Sequence, residues 1–157
     1  MGFNSGFKGL NHTKYCDIAQ WNANGLQQHR EEVFLNQNQI DILLINETHS
    51  TSKNHFTIPW YDLCYTSHPD GTAHGGTAMI IKNTIAYYVQ LQYAESVIQA
   101  TSVRVKGPLR DITIAAVYCP PRHNLKAEHC EAFFQTLGPS FLAGGDFNSK
   151  NTLWNQD

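Results

Sequence analysis

The chain has 157 residues, 11 Lys and Arg against 13 Asp and Glu for a net charge of −2, and 41% hydrophobic residues. That length suits one domain with a sizeable core, and the charge balance excludes a protein that coats nucleic acid by bulk electrostatics. No apolar run is long enough to cross a membrane and no basic-then-apolar leader opens the chain, so an intracellular protein without membrane association is expected.

Met1 to Thr13 is rich in glycine and small polar residues without periodicity and is expected to be a loose leader, the domain beginning at residue 14. Lys14 to Trp21 is mostly apolar and predicts a first strand. Gly25 to Gln39 carries Leu26, Val33 and Phe34 among polar residues, which predicts an amphipathic helix with one narrow apolar stripe. Ile40 to Asn46 (IDILLIN) is nearly continuous Ile and Leu, the pattern of a strand covered on both faces, so residues 15–46 form a strand-helix-strand unit. From Phe56 to Tyr118 five short runs alternate with turn signals: Trp60 to Thr66, Gly76 to Lys82, Ile85 to Tyr93, Ile98 to Val105 and Asp111 to Tyr118. They predict an antiparallel meander. Within it Thr101, Val103 and Val105 alternate with Ser102, Arg104 and Lys106, which predicts one wet face. His68 to Gly76 (HPDGTAHGG) is a loop, and it lacks the spacing and following helix of a P-loop. Leu125 to Leu137 has Ala127, Cys130, Phe133, Phe134 and Leu137 at helical spacing. A second helix therefore leads into a buried strand that starts at Ser140, with Gly144 and Gly145 letting the backbone turn beyond it.

Cys16, Cys64, Cys119 and Cys130 contain no C-x-x-C pair and are expected to be reduced thiols in or near the core. His123, His129 and Cys130 fit no standard zinc spacing, and the two histidines are read as surface residues on a loop and a helix.

Four polar clusters close strand-like runs: Trp21 to Gly25, Asn46 to His49, Val117 to Arg122, and Asp146-Phe147-Asn148. Asp-Phe-Asn is either turn chemistry around a buried Phe or a carboxylate and an amide leaning the same way at a strand end. Glu47 is either a solvated loop residue or a metal ligand, and Tyr118 either a core aromatic or a site residue. Together the four ends offer carboxylate, amide, phenol and guanidinium to one site across a sheet edge.

WNANGL, ETH, HGGTAMIIK, VYCPPR and GGDFNSKNTLW, in this order, resemble the exonuclease-endonuclease-phosphatase superfamily, which includes AP endonucleases and deoxyribonuclease I. GDFN followed by Asn151-Thr152-Leu153-Trp154 is similar in particular to the endonuclease domain of jockey-like non-LTR retrotransposons. The resemblance runs from about Tyr15 to the last residue. It implies an α/β fold, a four-layer α/β/β/α sandwich, and divalent-metal-dependent hydrolysis of phosphodiesters. Glu47 and Asn22 would hold the metal, Mg²⁺ or alternatively Mn²⁺. Asp146 would be the base or water-orienting carboxylate, Asn148 would position water or phosphate, and Tyr118 would donate to the phosphate. Asn24 stands where AP endonucleases commonly carry Asp, and with Arg122 and Lys150 it is a candidate for phosphate or nucleic-acid contact. The product would be a nick in double-stranded DNA whose 3′-hydroxyl primes a reverse transcriptase in the same parent polypeptide, with a nuclear site of action.

Relatives end their site with a Ser-Asp-His motif on a final strand, and this sequence has none, so residues 14–157 are expected to be an incomplete domain lacking C-terminal strands, and inactive alone. A phosphomonoesterase or phospholipid phosphodiesterase of the same superfamily and a non-catalytic binding remnant are the alternatives.

Overall fold

The computed structural model describes residues 5–7, 16–51 and 57–148. Its central strand is the Ile/Leu run: β3 (Ile42–Asn46) is buried at every position. It runs parallel to β2 (Cys16–Asn22), with Ile18 opposite Ile42 and Asn22 opposite Asn46. On its other side it pairs antiparallel with β5 (Thr77–Lys82). The helix α1 (Gln28–Asn38) connects β2 to β3, so the strand-helix-strand unit is present. Inside the stretch expected to be a loose leader, Ser5–Phe7 forms a short strand, β1, antiparallel to β2. With β4 (Tyr61–Thr66) paired to β5, the first sheet has the order β1-β2-β3-β5-β4.

The second sheet contains β6 (Tyr87–Val89), β7 (Tyr93–Ala94), β8 (Gln99–Val105), β9 (Ile112–Tyr118) and β10 (Phe141–Asp146), in the order β10-β9-β8-β6 with β7 also on β8. β9 and β10 are parallel and joined by α2 (Ala127–Leu137), a second strand-helix-strand unit. His129 is committed to the start of α2, where its Nδ1 accepts from the Lys126 amide at 3.1 Å.

Three apolar clusters hold these pieces together. Ala19, Leu43, Ile45, Ala78 and Ile80 face α1, whose Leu35 is fully buried among them and whose Phe34 meets Trp21 edge-on at 4.6 Å. Ile18, Ile42, Leu44, Met79 and Ile81 of the first sheet meet Val103, Ile114 and Ala116 of the second. Ile98, Ala100, Ala115 and Val117 face Phe133 and Leu137 of α2. Each fully buried large side chain contributes about 1.5–3 kcal/mol relative to exposure.

Four expectations need correction. The antiparallel meander divides, β4 and β5 joining the first sheet and β6 to β9 the second. The run from Ile85 to Tyr93 is two short strands rather than one. β8 has no wet face along most of its length, because its alternate residues pack under α2 or against the first sheet, and Ser102 is buried. Among the described residues the strand after α2 is part-exposed rather than buried: β10 has one neighbour there, and Phe141 and Leu142 are 40% and 36% exposed.

Candidate active site

The two parallel pairs, β2 with β3 and β9 with β10, set four strand ends at matching heights. Asn22 lies opposite Asn46 in the first sheet and Asp146 opposite Tyr118 in the second. Asn46 locks the sheets to each other: its fully buried side chain donates through Nδ2 to the Val117 carbonyl on β9 and accepts from Gln20 Nε2 at 2.8 Å. Gly145 makes room for this clamp, since a Cβ there would lie 1.8 Å from the Val117 oxygen and 2.8 Å from Asn46 Nδ2. The glycines of GGDFN are therefore part of the strand, and their purpose is close approach of the two sheets rather than a turn beyond the strand.

The loops beyond these ends are laced by backbone hydrogen bonds. The amides of Ala23, Gly25 and Leu26 donate to the carbonyls of Asn46, Glu47 and Thr48 at 3.0, 2.8 and 2.9 Å. Arg30 on α1 fastens the same loop, its Nη2 reaching the Ala23 and Gly25 carbonyls at 2.8 and 2.9 Å while Glu31 neutralises it at 3.0 Å. Glu47 is held at φ 52°, a left-handed conformation that costs a non-glycine residue about 1–3 kcal/mol and concentrates at functional sites. Next to it, the His49 amide donates to the Gly75 carbonyl at 2.9 Å. A Cβ on Gly75 would meet Gln99 Oε1 at 2.8 Å and the Tyr118 ring at 3.2 Å, so the HGG stretch is glycine because Tyr118 must close against it.

Tyr118 is the electrostatic centre of the arrangement. Burial first, then the negative charges of Glu47 and Asp146, then a hydrogen bond to Glu47, push its hydroxyl up to about 12, and Arg122 opposes them. One phenol thus senses both carboxylates and the guanidinium although they come from three separate loops. Asp146 and Asn148 are not two positions of an extended strand. Asn148 has φ 42° and its amide donates back to Asp146 Oδ1 at 3.0 Å, so the pair forms an Asx turn. Its side-chain Nδ2 is held by the Cys119 carbonyl at 3.0 Å. Phe147 between them packs near Phe134 of α2, ring centroids 6.4 Å apart. Asn22 Oδ1 accepts from the Asn24 amide at 3.3 Å, and both side chains are exposed on the rim of the first sheet. Lys150 and the Asn-Thr-Leu-Trp stretch lie outside the described residues.

The structure thus brings Glu47, Tyr118, Asp146 and Arg122 into one electrostatic unit, with Asn22 at the end of β2 and Asn24 and Asn148 on the loops beyond the strand ends. No local pattern marks Asn46 as an inter-sheet clamp, Arg30 as the anchor of the loop after Asn22, or Gln99 beneath Gly76, whose amide donates to Gln99 Oε1 at 2.7 Å. A residue acting across two sheets leaves no local pattern. The His68–Asp70–His74 group beside Arg122 was also invisible as a cluster.

The chain belongs to the Endonuclease/Exonuclease/phosphatase family, whose sequence pattern matches residues 19–155. Among its relatives is the RNA-directed DNA polymerase from mobile element jockey of Drosophila melanogaster, 34% identical over 139 residues, and that of Drosophila funebris, 31% identical. Each match covers 87% of this chain and 15% of the relative, so the chain spans about a seventh of the length of these proteins. In three dimensions it resembles the endonuclease domain of TRAS1, a telomere-specific non-LTR retrotransposon, with TM-score 0.62 and 19% identity over 87% of this chain and 62% of that one. The AP endonuclease LMAP from Leishmania major gives 0.60 and 12% over 82% and 54%. At these identities the likeness is one of fold. No helix among the described residues is long and apolar enough to cross a membrane.

Proposed function

We propose that these residues form the catalytic face of a metal-dependent phosphodiesterase that nicks double-stranded DNA, on a four-layer sandwich with α1 and α2 as outer layers. The observation that carries this reading is the convergence at the strand ends, where Asp146 lies opposite Tyr118 and the Tyr118 hydroxyl is hydrogen-bonded to Glu47 from the other sheet. The donor set fits a hard divalent cation: two carboxylates and the amide oxygens of Asn22 and Asn148, while Cys119 just after β9 is a buried thiol that burial pushes up to about 12 and so keeps protonated. Glu47 with Asn22 would hold Mg²⁺, or Mn²⁺ in its place, and the ion when bound supplies charge neutralisation at the phosphate and a more acidic water.

The chain's own groups divide the remaining work. A phenol that keeps its proton throughout the physiological range is a dependable donor, so Tyr118 donates to a non-bridging phosphate oxygen. Asp146 takes the proton of the attacking water. Asn148 already spends an amide hydrogen on the Cys119 carbonyl, so its Oδ1 is the atom that orients this water. Arg122, Asn24 and Lys150 are proposed as contacts to DNA phosphates. The nick would leave a 3′-hydroxyl that primes a reverse transcriptase in the parent polypeptide.

Plasmid nicking in Mg²⁺, by a polypeptide of the TRAS1 domain's length that carries these residues, tests the reading. Glu47→Gln and Asp146→Asn should each lower nicking about 10²- to 10⁴-fold with the fold intact. Nicking that survives both variants contradicts the assignment. Release of inorganic phosphate from small monoesters without nicking would favour the phosphomonoesterase alternative.

A further inference from the structure

Arg122 follows two prolines on an exposed loop, and a guanidinium in that position has many rotamers to lose before it can hold a phosphate. It is not left free. Its Nη2 lies 3.1 Å from His74 Nε2 and 3.4 Å from His68 Nε2, and the two imidazoles stand with centroids 4.0 Å apart. Behind them His68 Nδ1 is 2.6 Å from Asp70 Oδ1, and His74 Nδ1 meets the Thr72 hydroxyl, which is itself 2.6 Å from Asp70 Oδ1. The Thr72 amide adds a third contact to Asp70 Oδ1 at 2.9 Å.

The donor and acceptor rules favour one assignment for this chain of contacts, in which the 3.5 Å approach of His74 Nε2 to Asp70 Oδ2 carries no hydrogen bond. A guanidinium only donates, so each Nε2 must be a bare acceptor; an ionised carboxylate only accepts, so the proton of His68 must sit on Nδ1. The Asp70 amide also approaches His68 Nδ1, but at 3.3 Å it is the weaker contact. On His74 the Nδ1 proton goes to the Thr72 oxygen, whose own proton goes to Asp70. Two lines of hydrogen bonds therefore run from Arg122 through an imidazole to the same carboxylate. Hydrogen bonds from Thr72, and then His68, hold that carboxylate well below the usual range, so it stays an acceptor.

We infer that Asp70, His68 and His74 are positioning residues that fix the imidazole tautomers and thereby aim the Arg122 guanidinium at a DNA phosphate; this rests on the phosphate role proposed for Arg122. The same three side chains place ligand atoms within 4.8 Å of one another, near enough for a transition metal. A cation there would displace the guanidinium from both imidazoles or lie against its charge, so the arrangement with Arg122 in place favours positioning.

Two measurements on the 157-residue chain test this. Nitrogen-15 NMR of the imidazoles should show His68 in the Nδ1–H tautomer. The Nε2–H tautomer overturns the relay, as does Zn²⁺ at stoichiometric concentration shifting the nitrogens of both His68 and His74. Binding of a short fluorescent DNA duplex in Ca²⁺ is the second readout. Arg122→Ala should weaken it about tenfold for all sequences alike, and His68→Ala with His74→Ala about three- to tenfold. Combining the three should add little beyond Arg122→Ala, and His68→Gln, which restores a carbonyl acceptor, should recover part of the loss. Fully additive losses, or unchanged binding in the histidine variants, overturn the relay while leaving Arg122 on the phosphate. Unchanged binding in Arg122→Ala overturns the phosphate role and the relay with it.

Discussion

Where the two sheets face each other, one end of the contact is hydrocarbon and the other is a hydrogen-bonded array. At the first end Ile18, Ile42, Leu44, Met79 and Ile81 meet Val103, Ile114 and Ala116. At the second, beneath the site, Thr101 Oγ1 is 2.9 Å from both Thr66 Oγ1 and Thr77 Oγ1, and Asn46 crosses to Val117. Apolar contact is non-directional and tolerates small displacements of one sheet over the other. Buried hydrogen bonds tolerate few, because a shifted partner is left unpaired at a cost of about 1–3 kcal/mol. The polar end therefore sets the relative position of the sheets, and with it the placement of Glu47, on the first sheet, against Asp146 and Tyr118, on the second.

Substitutions at the two ends separate these roles. Leu44→Ala should give the largest loss of stability, about 2–5 kcal/mol in denaturant unfolding, while metal and DNA binding by the folded fraction stay unchanged. Asn46→Ala should cost about 1–3 kcal/mol, less than Leu44→Ala, yet weaken divalent-metal binding by the folded protein because the sheets lose their clamp. If Asn46→Ala left metal affinity untouched, the polar end would be mere packing.

An alkaline titration reaches the same end through Tyr118. The unfolded phenol gives up its proton near its ordinary value of about 10, whereas the folded one holds it to about 12. The unfolded chain therefore binds fewer protons in this window, and stability falls as pH rises through it. Wild type should lose about 1–3 kcal/mol more than Tyr118→Phe between those limits. Equal losses would show that Tyr118 is not buried against Glu47 and Asp146.

The smallest effect expected is a gain. Glu47→Gly removes the Cβ from a left-handed position and should stabilise the chain by about 1 kcal/mol while abolishing its metal affinity. Stabilisation without functional loss would make the strain at Glu47 incidental.

Much of the scaffold was legible because its signals are local. The Ile/Leu run of β3 and the helical spacing of Phe133, Phe134 and Leu137 each state a period and a burial without reference to the rest of the chain. The polar residues that close β2, β3, β9 and β10 were legible for the same reason. What stayed hidden depends on partners distant in sequence. Ser102 looks solvated from alternation alone, because α2 covers that face only after the chain has crossed back from β9. Gly145 looks like a turn residue until the Val117 carbonyl and Asn46 are seen where a Cβ would be. The Asx turn at Asp146 and Asn148 defeats the period-two argument because the strand ends at Asp146.

Paramagnetic broadening by Mn²⁺ shows whether Glu47 and Asp146 belong to one divalent-metal site. Titrated into the nitrogen-15-labelled 157-residue chain, Mn²⁺ should first broaden the amides of Glu47, Asp146, Asn22 and Asn148, and Glu47→Gln should remove the effect. Broadening centred on His68 and His74, or persisting in Glu47→Gln, would contradict the account.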